Sequence, residues 1–183
     1  MKADKQKRRE KYLVFLILLS LYLSLLETFI PKPFPWLKLG LSNIGTLVAL
    51  EKFGKKMAFE VVICRIVIQG IMLGTLFSPG FIISLVSGTA SVCIMAVLYN
   101  FRNRLSLVSI SIFSALIHNL TQLTVVYFLL FRNMNINSRY VMVFVTGFLI
   151  LGAAAGAVTG FIGEKLLLRR SCVEWENILV LTE

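Results

Sequence analysis

Aspartate is almost missing from this chain. Of 183 residues, nine are acidic, and Asp4 is the only aspartate. Aspartate-rich clusters that hold Mg²⁺ against a diphosphate are therefore excluded, because such sites are built from carboxylates and substrate phosphates. There is no P-loop, so ATP hydrolysis by that route is excluded as well. A single histidine, His118, leaves no HExxH pair for an intramembrane zinc protease. Ser114 and His118 share a helical stripe, but that stripe supplies no carboxylate to orient the imidazole, so a self-sufficient enzyme is not expected. The three cysteines, Cys64, Cys93 and Cys172, lie far apart and show neither a CxxC nor metal-ligand spacing. No metal and no cofactor is implied. Charge in general is scarce: 15% of residues are charged, against roughly a quarter in soluble domains.

What the chain has instead is apolar surface. It is 57% hydrophobic with a mean hydropathy of +0.84. Six apolar segments follow one another at about 12–29, 36–50, 57–76, 81–99, 106–131 and 141–163. No β-alternation competes with them, and the turns between are short. The expected fold is an all-α membrane protein, a compact bundle of six transmembrane helices. Residues 1–11 form a basic tail, 12–165 the membrane domain and 166–183 a second tail. The basic start resembles a signal peptide, but neither an A-x-A-like site nor a lipobox cysteine follows, so the first span is expected to be retained. The second segment is short for a span of about 20 residues, which suggests a tilted, broken or re-entrant element.

The net charge of +10 does not call for nucleic acid. Basic residues of membrane proteins collect in cytoplasmic loops. With the N-terminus inside, fourteen lysines and arginines fall on the cytoplasmic side, and Lys32, Lys38, Arg132 and Arg139 fall outside. Both termini are thus expected in the cytoplasm of a multi-pass protein of the bacterial cytoplasmic membrane. Phe34, Trp36 and Tyr140 would then lie at the outer interface, and Tyr12 and Tyr99 at the inner one.

The stretch Glu27 to Leu50, ETFIPKPFPWLKLGLSNIGTLVAL, organises the rest. A carboxylate ends one apolar run, a proline-rich turn follows (Pro31, Pro33, Pro35), and the chain re-enters through Gly40, Asn43 and Gly45. Polar groups at such a re-entry are tolerated only where protein or a water-filled cavity receives them. Other spans carry matching groups: Arg65 with Gln69 one turn on, and His118 with Gln122, Asn119 beside them. At roughly 1.5 Å rise per residue, Glu27, Asn43, Gln69 and His118 lie at a similar depth, roughly 18–22 Å from the cytoplasmic face. An upward-reaching Arg65 approaches that level. Each alone is compatible with an interhelical hydrogen bond or, for Arg65 and Glu27, mutual neutralisation. Together they suggest a ligand pocket of Glu27, Asn43, Arg65, Gln69, His118, Asn119 and Gln122. Its lid would be the proline turn and the loop at 78–80. Glu60, four residues after Lys56, is expected to pair or snorkel at the inner end.

Small residues at four-residue spacing mark close helix approach: Ser20 and Ser24, Gly70 and Gly74, and Gly152, Gly156 and Gly160. They fit packing inside the bundle. Ser20, Ser24 and the glycine triplet also fit a face for a partner membrane subunit.

ETFIPKPFPWLKLGLSNIGTL, CRIVIQGIMLGTLFSPGF, SLVSGTASVCIM and SISIFSALIHNLTQL together resemble the bacterial family named heptaprenyl diphosphate synthase component I, also called the Gx transporter family. The resemblance covers about residues 12–165. It implies a six-helix protein similar to the S-components of energy-coupling factor vitamin transporters. In those, substrate binds from outside, and a separate membrane subunit with ATPases supplies energy. Ser20 and Ser24 stand where those proteins carry an Ala-xxx-Ala docking pattern. Three functions follow as expectations: a substrate-binding transport component for a small organic cofactor or precursor, an accessory subunit of a polyprenyl diphosphate synthase, or a structural subunit of a flavin or quinone redox complex. The partners implied are the lipid bilayer and, respectively, an energising subunit, a synthase or a redox partner.

Overall fold

A computed structural model describes residues 2–29, 40–130 and 139–169. Among these the chain is all-helical: α1 (Lys2–Phe29), α2 (Asn43–Phe53), α3 (Lys55–Met72), α4 (Pro79–Leu98), α5 (Leu107–Leu130) and α6 (Arg139–Arg169), with one 3₁₀ turn at Tyr99–Phe101. Among the described residues three stretches are long and apolar enough to cross a membrane, Pro79–Phe101, Leu107–Leu129 and Val141–Leu167. The chain reads as a membrane protein. Its outer surface agrees: Val14, Leu18, Tyr22 and Leu26 repeat every fourth residue on the open face of α1, and Val143, Ile150, Val158 and Phe161 are open on α6. The proline turn, Phe34, Trp36 and most of the loop at 132–139 lie outside the described residues, as does Cys172, while Cys64 and Cys93 are free thiols.

Helix ends follow local chemistry. Ser78 caps α4, its Oγ accepting from the Phe81 N–H at 3.3 Å, with Pro79 at the first helical position. At the end of α3 the Thr75 N–H donates to the Gly70 carbonyl and the Gly74 N–H to that of Ile71, a Schellman closure. It puts Gly74 at φ +65°, where a glycine meets no steric penalty. The basic residues before the first apolar run are helical, since α1 runs unbroken from Lys2. Residues 51–56, expected as a turn, are mostly helical, and only Gly54 separates α2 from α3. Lysine, glutamate and methionine favour helix there, so one glycine suffices to bend the chain.

The short helix α2 lies at the centre. At 11 residues it spans only about 16 Å. Every residue from Asn43 to Leu50 is buried, and α1, α3, α4 and α6 all touch it. Gly45 lies against Ser20 of α1, and Gly163 of α6 against Leu47. The tightest pairing is α5 with α6. A Cβ on Gly156 would lie 2.9 Å from the Ile112 Cα, and one on Gly160 would lie 2.7 Å from the Val108 Cα. The triplet Gly152, Gly156 and Gly160 thus seats α6 on α5 inside the chain.

Polar links gather at one end. Arg9 of α1 pairs with Glu60 of α3 at 3.1 Å. Arg102 pairs with Glu51 at 3.3 Å and donates to the Leu105 carbonyl, and Lys55 donates to Asn100. Being half-exposed, these links hold the helix ends in register more than they stabilise the fold.

Candidate functional site

Five elements converge on one small hollow. It is lined by Ser24 of α1, Gly40 and Ser42 before α2, Arg65, Ile66 and Gln69 of α3, Ser84 of α4 and His118 of α5. About 10 Å³ inside it is open to water centres, the room of roughly one water molecule.

The start of α2 forms part of its wall. The Asn43 N–H donates to the Gly40 carbonyl at 2.9 Å and that of Ile44 to Leu41 at 3.2 Å, which turns the chain into the helix. Gly40 sits at φ +88°, a conformation side chains rarely adopt, and a Cβ there would press on the Asn43 amide at 3.2 Å. Its N–H donates to Glu27 Oε1 at 2.8 Å. A fully buried carboxylate thereby ties the end of α1 to the start of α2, across the stretch that holds the prolines.

Arg65 and Gln69, one turn apart on α3, point the same way. Gln69 Oε1 accepts from Ser24 Oγ at 2.9 Å. That fixes the amide with its NH₂ away from α1. Arg65 is 4% exposed, and its Nε and Nη1 meet no acceptor among the described residues. Glu27 acts on it through its field. Burying a cation with unsatisfied N–H groups is costly, since each unmade bond forfeits desolvation energy.

Of the residues expected at a pocket, Arg65, Gln69 and His118 line the hollow, and Glu27 and Asn43 adjoin it through Gly40 and Ser42. Asn119 turns elsewhere: its Nδ2 donates to the Phe148 carbonyl of α6 at 3.3 Å, beside Gly152. Gln122 is buried but stands outside the lining. Ser114 bonds Ser91 of α4 at 2.7 Å, not His118. Ser20 and Ser24 are both buried against neighbouring helices of this chain, so neither offers an open face. Sequence reasoning missed Ser24, Gly40, Ser42, Ile66 and Ser84 as lining, having read Ser24 as a packing or partner face. Their signal was weak, since isolated serines and glycines are common in membrane helices. Glu60, expected to pair or snorkel at its end of the bundle, pairs with Arg9.

The family model described as heptaprenyl diphosphate synthase component I matches residues 16–166. No curated protein and no solved structure matches the chain.

Proposed function

The chain belongs to the heptaprenyl diphosphate synthase component I family, and from that premise we propose that it is a non-catalytic membrane subunit that binds a small organic molecule inside its bundle. In this reading it crosses the bilayer six times with both termini in the cytoplasm, takes its ligand from the outer side, and works like the S-component of a transporter energised by partner subunits. The observation that carries the proposal is the meeting of Ser24, Ser42, Arg65, Gln69, Ser84 and His118, from five elements, around one buried hollow. Polar groups are costly in a bilayer, and an apolar bundle that gathers them in one place resembles a ligand site more than scattered helix glue. The hollow is much smaller than the roughly 300 Å³ of a filled small-molecule pocket, so the ligand enters by parting the helices around Gly40 and α4.

The test is mass spectrometry of small molecules retained by the purified full-length protein. A specific compound should be retained by the wild type and lost in Arg65→Ala and in His118→Ala, with the gel-filtration profile unchanged. Retention in both variants would place the binding elsewhere. The family description favours a second reading, in which the chain is the membrane partner of a polyprenyl diphosphate synthase. Co-purification of a synthase with the tagged protein, undisturbed by Arg65→Ala, would favour that one.

A further inference from the structure

We infer that the group recognised in this hollow is an anion, a carboxylate or phosphate, held by the Arg65 guanidinium at the N-terminal end of α2. The inference rests on the pocket reading above and adds the charge of the ligand. Two observations carry it independently.

The first is Arg65. Its guanidinium is buried, it lines the hollow, and Nε and Nη1 lack acceptors among the described residues. Arginine is the side chain whose fixed fork of donors fits carboxylate and phosphate oxygens. The neighbouring carboxylate of Glu27 already accepts from the Gly40 N–H, which leaves it bound to the turn. An oxyanion in the hollow would supply the missing acceptors through charge-assisted hydrogen bonds.

The second is α2. This 11-residue helix begins inside the bundle, with Ser42 and Asn43 at its first turn both buried. A helix N-terminus carries about half a unit of positive charge. Ser42 and Gly40, at that terminus, line the same hollow as Arg65. Among the described residues no carboxylate lines it, and the Ser24 bond leaves the NH₂ of Gln69 as a further donor. Cation, helix end and amide all favour negative charge at one point.

A soluble metabolite or an anionic lipid headgroup would present the same chemistry. The test separates them. Purified full-length protein in neutral detergent is melted against rising inorganic phosphate, pyrophosphate or acetate, with sodium chloride at matched ionic strength as the reference. In a second arm it is melted in nanodiscs of phosphatidylcholine with or without phosphatidylglycerol. Saturable stabilisation beyond chloride by a soluble oxyanion supports the inference and assigns a free anion. Stabilisation by phosphatidylglycerol alone supports it and assigns a headgroup. In either arm Arg65→Gln should abolish the effect, Arg65→Lys should weaken apparent affinity about ten-fold or more, and the surface variant Arg9→Gln should leave it intact. If Arg65→Gln fails to fold, Arg65→Lys decides. The inference is overturned if no oxyanion and no anionic lipid exceeds the reference, or if the Arg65 variants respond as wild type does. A retained ligand that is neutral or cationic, yet lost in His118→Ala, would overturn the anion while leaving the pocket standing.

Discussion

Arg65 and Gln69 share one face of α3 and meet different fates. The amide of Gln69 has an intramolecular partner in Ser24, and the guanidinium keeps Nε and Nη1 without an acceptor among the described residues. The Ser24 hydroxyl is thus a positioning group, and its removal has a defined cost. Ser24→Ala should lower stability by about 0.5–2 kcal/mol, the range for interhelical hydrogen bonds in membrane bundles. Gln69→Met should lower it comparably, and the double variant should lose less than the sum, because the second change removes the acceptor left unpaired by the first. Additive losses in detergent-titrated unfolding would show that the bond does not stabilise the fold. Binding should respond differently. Ser24→Ala frees the amide to rotate, so ligand affinity should drop even in conditions where the fold is fully populated.

At the scale of helices, glycine position separates packing from accident. Gly156 faces the α5 backbone, where a Cβ would come within 2.8 Å of Ala115 Cβ and 2.9 Å of the Ile112 Cα. Backbone atoms cannot yield as the tip of a side chain can. Gly156→Leu should therefore push α6 off α5 and cost about 3 kcal/mol or more, beyond the usual overpacking penalty. Gly147, in the same helix, meets nothing within 4 Å. Gly147→Ala should be neutral or stabilise by up to about 1 kcal/mol through helix propensity. Thermal unfolding of the pair checks this, and equal losses would remove the assigned α5–α6 interface. The contrast also shows what could be read beforehand. Four-residue spacing of Gly152, Gly156 and Gly160 announces a close approach but not its partner, since spacing fixes a face and not the direction in which that face points. For the same reason Arg65 and Gln69 were legible as one stripe, whereas Asn119, adjacent to His118, turned to α6. The turn at Gly40 and Ser42 was not legible as lining, because its position depends on the Glu27 bond to a residue thirteen further along.

The whole molecule has two unlike ends. One gathers Arg9, Glu60, Glu51, Lys55 and Arg102 in cross-helix pairs, with Arg104 exposed nearby. The other has the turn between α3 and α4, where Phe77 is 99% exposed, an aromatic suited to a membrane interface. Since cytoplasmic loops hold the excess of lysine and arginine, the first end should face the cytoplasm and Phe77 the outside. Single cysteines decide it. In a background with Cys64, Cys93 and Cys172 replaced by alanine, Phe77→Cys should react with an impermeant maleimide in intact spheroplasts. Asn103→Cys, in the exposed turn before α5, should react only after permeabilisation. Labelling of both from one side would mean that α4 does not cross the bilayer. The hollow lies among α1, α3, α4, α5 and the start of α2, so that result would remove the proposed outer route for the ligand together with the proposed six-span topology. The expected asymmetry ties them together: the start of α2, with Gly40 and Ser42 in the lining, belongs to the end opposite the Arg9–Glu60 and Arg102–Glu51 pairs.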